Sequence, residues 1–272
     1  LDSLLLCYPD RYPGVFAVGE QSALSVTTYR TSLQQYLNIV DWFCMAIYDT
    51  SCKFTGRQIR KRLKKITFIC YIGNSPSPCV RSMRYYPVAI INIPTECLYD
   101  IPRRLHFIGH EIAHIYIDQW NLNNFYSALY RNLKRSIRRY NKEKKLDEEE
   151  IEDFAWCFVD LVRQALADLY ECQLLLRGNV EVFSKLLQEL FKEIFGSEES
   201  EENVYECKLR IILVEIMKKV IEDTEIPSKN KIRSICTSHG LQDEIAQGVC
   251  NAMVHALEVS LYNGSDMSLL LQ

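Results

Sequence analysis

The chain has 272 residues, 48% of them hydrophobic and 25% charged, with a formal net charge of −3 at neutral pH. Those values suit a globular protein with a sizeable core, and they argue against one that grips nucleic acid through overall charge. No apolar run approaches the roughly 18 residues that a bilayer-spanning helix needs, so no membrane contact is expected.

Leu4–Cys7 is too short, and lacks the basic flank, to read as a signal segment. Val15–Val18 and Leu24–Arg30 are short strand-like stretches. Ser32–Tyr48 has helical apolar spacing, and Thr55–Lys65 reads as a short basic helix. Ile66–Gly73, rich in β-branched and aromatic residues and followed by Asn74, Ser75 and Pro76, predicts a buried strand. Val88–Ile93 is bracketed by Pro87 and Pro94, which suits an edge strand. Beyond Asp100 the spacing predicts only helices, over 101–118, 122–145, 148–177, 180–195, 202–222 and 241–262, with a loop at Gly196–Asn203. The fold class is therefore α+β. A small N-terminal mixed sheet with helices (1–100) precedes a mainly helical part (101–272), and the two form one compact domain.

The most informative residues are His110-Glu111-Ile112-Ala113-His114. Leu105, Ile108, Ile112 and Ile115 recur at helical spacing around them, and Pro102 sits in the first turn behind Asp100 as an N-cap. Histidines four apart on a helix point the same way and can reach one divalent metal. The glutamate between them falls beside that metal, where it can take a proton from water. The bland alternative is a helix carrying two ordinary histidines. His106 shares the stripe, but on a straight helix it lies about 12 Å along the axis from His114, too far for both to bind one ion.

This segment, from Leu105 to Ile115, resembles the active-site helix of the HExxH zinc metallopeptidases. The order of strands, then this helix, then further helices resembles the gluzincin group. The resemblance implies zinc as cofactor, His110 and His114 as ligands, Glu111 as general base and a peptide or protein as substrate. It also implies a substrate-binding edge strand beside the helix, here Ala89, Ile90, Ile91 and Asn92.

A catalytic zinc needs a third protein ligand. No histidine follows His114 before His239, so a carboxylate on a later helix is the remaining route. The best helix runs from Glu148 to Leu176, with Asp147 as its cap, Glu150 completing a capping box and Gly178 ending it. On a helical wheel Glu149, Glu152, Asp153, Asp160, Arg163, Gln164 and Glu171 form a polar stripe. Phe154, Cys157, Phe158, Leu161, Val162, Ala165, Leu166, Leu169 and Cys172 form the apolar arc. Asp168 falls inside that arc, and a carboxylate on a buried face is costly unless paired or metal-bound. Asp168 is thus the first choice for the third ligand. Gln164–Asp168 also resembles the gluzincin pattern Glu-x-x-Ala-Asp, in which the glutamate binds zinc and the aspartate orients a histidine. Gln164 stands where that glutamate should be. Three alternatives stay open: Asp168 is the ligand, Glu171 one turn later is, or the metal site is weakened and the chain is a non-catalytic binding or regulatory module.

Eleven cysteines, with no Cys-x-x-Cys pair, favour a reducing cytoplasm over a disulfide framework. Cys44, Cys70, Cys157, Cys172 and Cys250 read as small buried hydrophobes. The basic run Arg131–Lys145 adjoins the acidic run Asp147–Asp153, and mutual offset on the surface weighs against nucleic acid as a partner.

Overall fold

The structure is a computed structural model that describes residues 40–42, 44–46, 48, 66–73, 79–82, 88–94, 101–118, 122–141, 146–195, 200–223, 226–241 and 243–262. The strands expected at Val15–Val18 and Leu24–Arg30, the helix at Thr55–Lys65 and the cap at Asp100 lie outside these residues. Broadly the fold is α+β: mostly helical, with one small sheet. The chain divides into two compact units, Leu1–Ile117 and Asp118–Gln272. The HExxH helix thus groups with the sheet, not with the later helices as the expected boundary near residue 100 had it.

In the first unit, strands β1 (Thr67–Gly73), β2 (Cys79–Ser82) and β3 (Val88–Pro94) form a sheet of order β1-β3-β2. β3 runs parallel to β1, with Phe68 opposite Ala89 and Cys70 opposite Ile91, and antiparallel to β2, with Val80 opposite Ile91. β3 is therefore the middle strand, and the edge assigned to Ala89, Ile90, Ile91 and Asn92 is corrected. Pro87 and Pro94 remove donors only at the ends of the strand, so its interior pairs on both sides. Ala89 and Ile91 are fully buried on one face. The short β2 was not foreseen, because four residues leave little periodicity to read.

Residues 40–42 and 44–46 are helical and cover β1. The Cys70 N–H donates to Asp41 Oδ1 at 2.6 Å, which occupies a backbone donor at the edge of the sheet. Tyr48 packs edge-on against Phe68 and Tyr116, at ring-centroid distances of 5.5 and 6.3 Å. Tyr116 lies on helix α1 (Ile101–Asp118), so this aromatic cluster belongs to the same core as the sheet.

The second unit holds α2 (Asn123–Tyr140), α3 (Glu148–Leu175), α4 (Val180–Phe195), α5 (Glu201–Asp223), α6 (Lys229–Ser238) and α7 (Glu244–Tyr262). α5 is its axis. Eight of its residues from Leu209 to Val220 are buried apolar side chains with no strong one-sided pattern, as a helix enclosed by others requires. α3, α4 and α7 pack around it. α7 meets α2 closely at Gly248, where a Cβ would stand 3.0 Å from the Tyr140 ring. α6 was missed by the apolar spacing; Ser228 caps it by accepting from the Lys231 N–H.

α3 starts as its sequence requires. Asp147 accepts the Glu150 N–H at 2.9 Å, and Glu150 accepts the Asp147 N–H at 2.8 Å. The chain leaves the helix through Gly178 at φ +73°, whose N–H reaches the Cys172 carbonyl at 2.9 Å. The inward face differs from the wheel. Val162, Ala165, Leu166, Leu169 and Cys172 are buried, but Ile151, Ala155 and Val159 line the first half, while Phe154, Trp156 and Cys157 are exposed. The helix changes partner along its length, α2 first and α5 later, so no single arc serves all 28 residues. On its outer side Lys134 bonds Glu148 and Glu152, and Arg138 bonds Glu148. The basic and acidic runs do offset each other there. Among the described residues no helix is long and apolar enough to cross a membrane.

Candidate metal centre

α1 sets the two histidines. Ile112 to Ile117 are buried without a break, so this part of the helix is enclosed on every side. His114 is 8% exposed; His110 and Glu111 are half-buried. The one-turn spacing brings His110 Nε2 and His114 Nε2 to 3.1 Å, with the rings perpendicular and their centroids 4.7 Å apart.

That distance has a chemical meaning. Two nitrogens bound to one tetrahedral zinc at about 2.05 Å each stand about 3.3 Å apart. The observed 3.1 Å separation is close to that value. The same atoms also make an ordinary N–H···N hydrogen bond when one ring carries its proton on Nε2 and the other on Nδ1. Binding an ion through both Nε2 atoms requires both protons on Nδ1, a change of tautomer that releases no proton. The side chain of His106 lies outside the described residues.

The carboxylates expected as the third ligand sit in the second unit. Asp168 and Glu171 are 1% and 2% exposed, and they are the only fully buried carboxylates among the described residues. A carboxylate oxygen of one lies within 4.8 Å of one of the other. Asp168 is buried as its place on the apolar arc requires. Glu171 is also buried, which corrects its placement on the polar stripe: the second half of α3 is enclosed where it meets α5.

Asp168 has a partner that the sequence reading did not assign. Arg210 of α5 donates from Nη2 to Oδ1 at 2.7 Å and from Nε to Oδ2 at 2.8 Å, a two-point ion pair. The guanidinium also lies 5.6 Å from the centre of the Phe191 ring and 3.8 Å from Glu206 Oε1. Burial works against the Arg210 charge, but the Asp168 carboxylate outweighs it and holds the pKa above the ordinary value. A signal for this pair was present. Arg210 stands alone in the apolar run Leu209–Val214 as Asp168 stands alone in its arc, and a buried charge needs an opposite one. Arg210 therefore offsets the cost of burying Asp168. Gln164 is half-buried on the same helix.

No protein-family model, curated protein or solved structure matches the chain. What the centre can do follows from its own donor atoms. Two imidazole nitrogens 3.1 Å apart are donor atoms that could take one divalent ion, and Glu111 follows His110 in sequence. Two further histidines lie in the second unit. His239 Nε2 lies 2.8 Å from Glu215 Oε2, and His255 is more than half exposed beside Glu258.

Proposed function

We propose that the chain is a zinc-dependent metallopeptidase of the HExxH type. The observation that carries this is the 3.1 Å approach of the His110 and His114 Nε2 atoms on an enclosed helix, with Glu111 beside them in sequence. A catalytic zinc takes three protein ligands. The sequence leaves Asp168 and Glu171 as the candidates for the third. Zinc, when bound, supplies Lewis acidity and a water whose pKa is lowered to about 7. His110 and His114 fix its position through a rigid helix. Glu111 accepts the proton of the attacking water and returns it to the amine nitrogen as the peptide C–N bond breaks. The substrate is a peptide or protein, and the cysteine pattern favours a cytoplasmic enzyme.

Glu111 is a base and not a ligand, so Glu111→Gln is expected to keep zinc and to lose hydrolysis of a quenched fluorescent peptide library by about a hundredfold or more. Loss of zinc together with activity would move Glu111 into the coordination shell.

Gln164 favours a second reading, because the gluzincin pattern has a glutamate ligand at that place. In it the chain keeps the histidine pair in a binding or regulatory module without catalysis. Stoichiometric zinc with no peptide hydrolysis in the unaltered chain, or no zinc at all, would support this second reading.

A further inference from the structure

A second feature lies wholly within the second unit. The first half of α3 carries two apolar faces. Ile151, Ala155 and Val159 are buried. Phe154, Cys157, Phe158 and Leu161 recur at i, i+3, i+4 and i+7, the spacing of a second stripe along the same helix. Phe154 is 48% exposed, Cys157 is exposed, and Phe158 and Leu161 are half-buried. Single apolar residues scattered on a surface are ordinary, but four in helical register are the pattern by which one helix packs against another.

The charges beside this stripe are one-sided. At about 100° per residue the stripe borders the buried face on one edge. Along its other edge run Glu149, Asp153 and Asp160, all exposed. Among the described residues none of these three carboxylates has an ion-pair partner. The nearby cations are taken: Lys134 and Arg138 bond Glu148, and Arg163 bonds Asp118. Glu150 adds a carboxylate at the start of the stripe, where it accepts the Asp147 N–H.

Apolar burial would supply the affinity of such a face, and its charges would select the partner. Two copies laid antiparallel would set each acidic row against its own image, so like charges disfavour a second copy of this chain. An anionic membrane surface is disfavoured by the same charges. We propose that this face of α3 docks an amphipathic helix of a partner protein, one with apolar residues at the same spacing and lysines or arginines beside them. This assignment is independent of the metal centre.

The test is fluorescence anisotropy of a labelled, designed helical peptide of about three heptads, titrated with the full chain. The peptide has leucines at that spacing, lysines on the flanking positions and alanines elsewhere. One control peptide replaces every lysine by glutamate, and another every leucine by serine. The lysine peptide is expected to bind saturably and more weakly as salt rises, and each control at least about tenfold more weakly. Phe154→Ala, and separately Asp153→Lys with Asp160→Lys, are each expected to weaken the lysine peptide about tenfold. All three side chains are exposed, and an unaltered urea midpoint confirms folding of each variant. The charge reversal is also expected to strengthen the glutamate peptide, which a damaged fold would not do. No saturable binding of the lysine peptide, equal binding of either control, or full binding by both variants would overturn the proposal. Concentration-dependent dimers that Phe154→Ala abolishes would overturn it in favour of a second copy.

Discussion

Asp168→Asn separates a structural carboxylate from a metal ligand. The side chain is 1% exposed and takes two bonds, at 2.7 and 2.8 Å, from an arginine that is itself buried. Asparagine keeps one acceptor oxygen but turns an amide N–H₂ toward the guanidinium and leaves the Arg210 charge without its counter-charge. Breaking one side of a buried pair costs about 3–5 kcal/mol. Glu206, at 3.8 Å from Arg210 and 45% exposed, and the Phe191 ring recover a little of this, so the lower end, about 3 kcal/mol, is expected. Against a typical total of about 5–15 kcal/mol, that is a large shift of the urea midpoint. Asp168→Asn with Arg210→Met removes both charges and is expected to be clearly more stable than Asp168→Asn alone, because an apolar replacement of a buried pair is often near neutral. Zinc content is measured on the same samples. Retained zinc in Asp168→Asn would leave Glu171 as the third ligand. A loss of less than about 1 kcal/mol, or a double variant as unstable as the sum of its singles, would refute the structural role. Loss of zinc at unchanged stability would make Asp168 the ligand after all.

Other consequences can be measured in the second unit. The Tyr126 hydroxyl has no hydrogen-bond partner among the described residues, and burial pushes its pKa up to about 12. An unfolded tyrosine ionises near 10, so between about pH 10 and 12 the unfolded chain holds fewer protons than the folded one and stability falls as pH rises. Tyr126→Phe is expected to leave stability at pH 7 equal or slightly higher and to make that alkaline fall shallower; urea unfolding at pH 7 and 11 checks it, and an unchanged fall would contradict it. Asp147→Ala removes the cap bond to the Glu150 N–H and is expected to cost about 1 kcal/mol. Faster hydrogen exchange at Glu150 and Ile151 would accompany that loss, and unaltered protection there would count against the cap.

Much of the helical part was legible because its signals are local. The capping box at Asp147 and Glu150, the exit at Gly178 and the span of α4 need only neighbouring residues. What failed depended on partners distant in sequence. Pro87 and Pro94 look the same at an edge as at the ends of a central strand, and only the pairing of β2 with β3 decides between them. One helical wheel assumes one buried face, and α3 has two, so Phe154 and Cys157 came out exposed and Glu171 buried. Cys157, unlike Cys44, Cys70, Cys172 and Cys250, is not a core thiol for the same reason. The histidine pair was legible because a four-residue spacing on a helix fixes its own geometry. The partner of Asp168 was not assigned, although Arg210, a lone charge in an apolar run, carried the clue.

The central claim is that His110 and His114 share one zinc ion. Zinc per chain, measured by elemental analysis after reconstitution and dialysis, tests it most directly, with His110→Ala and His114→Ala alongside. One zinc per chain in the unaltered protein and none retained by either variant is the predicted result, because two remaining ligands rarely hold a catalytic zinc. No zinc in the unaltered protein, or full occupancy in either variant, would contradict it.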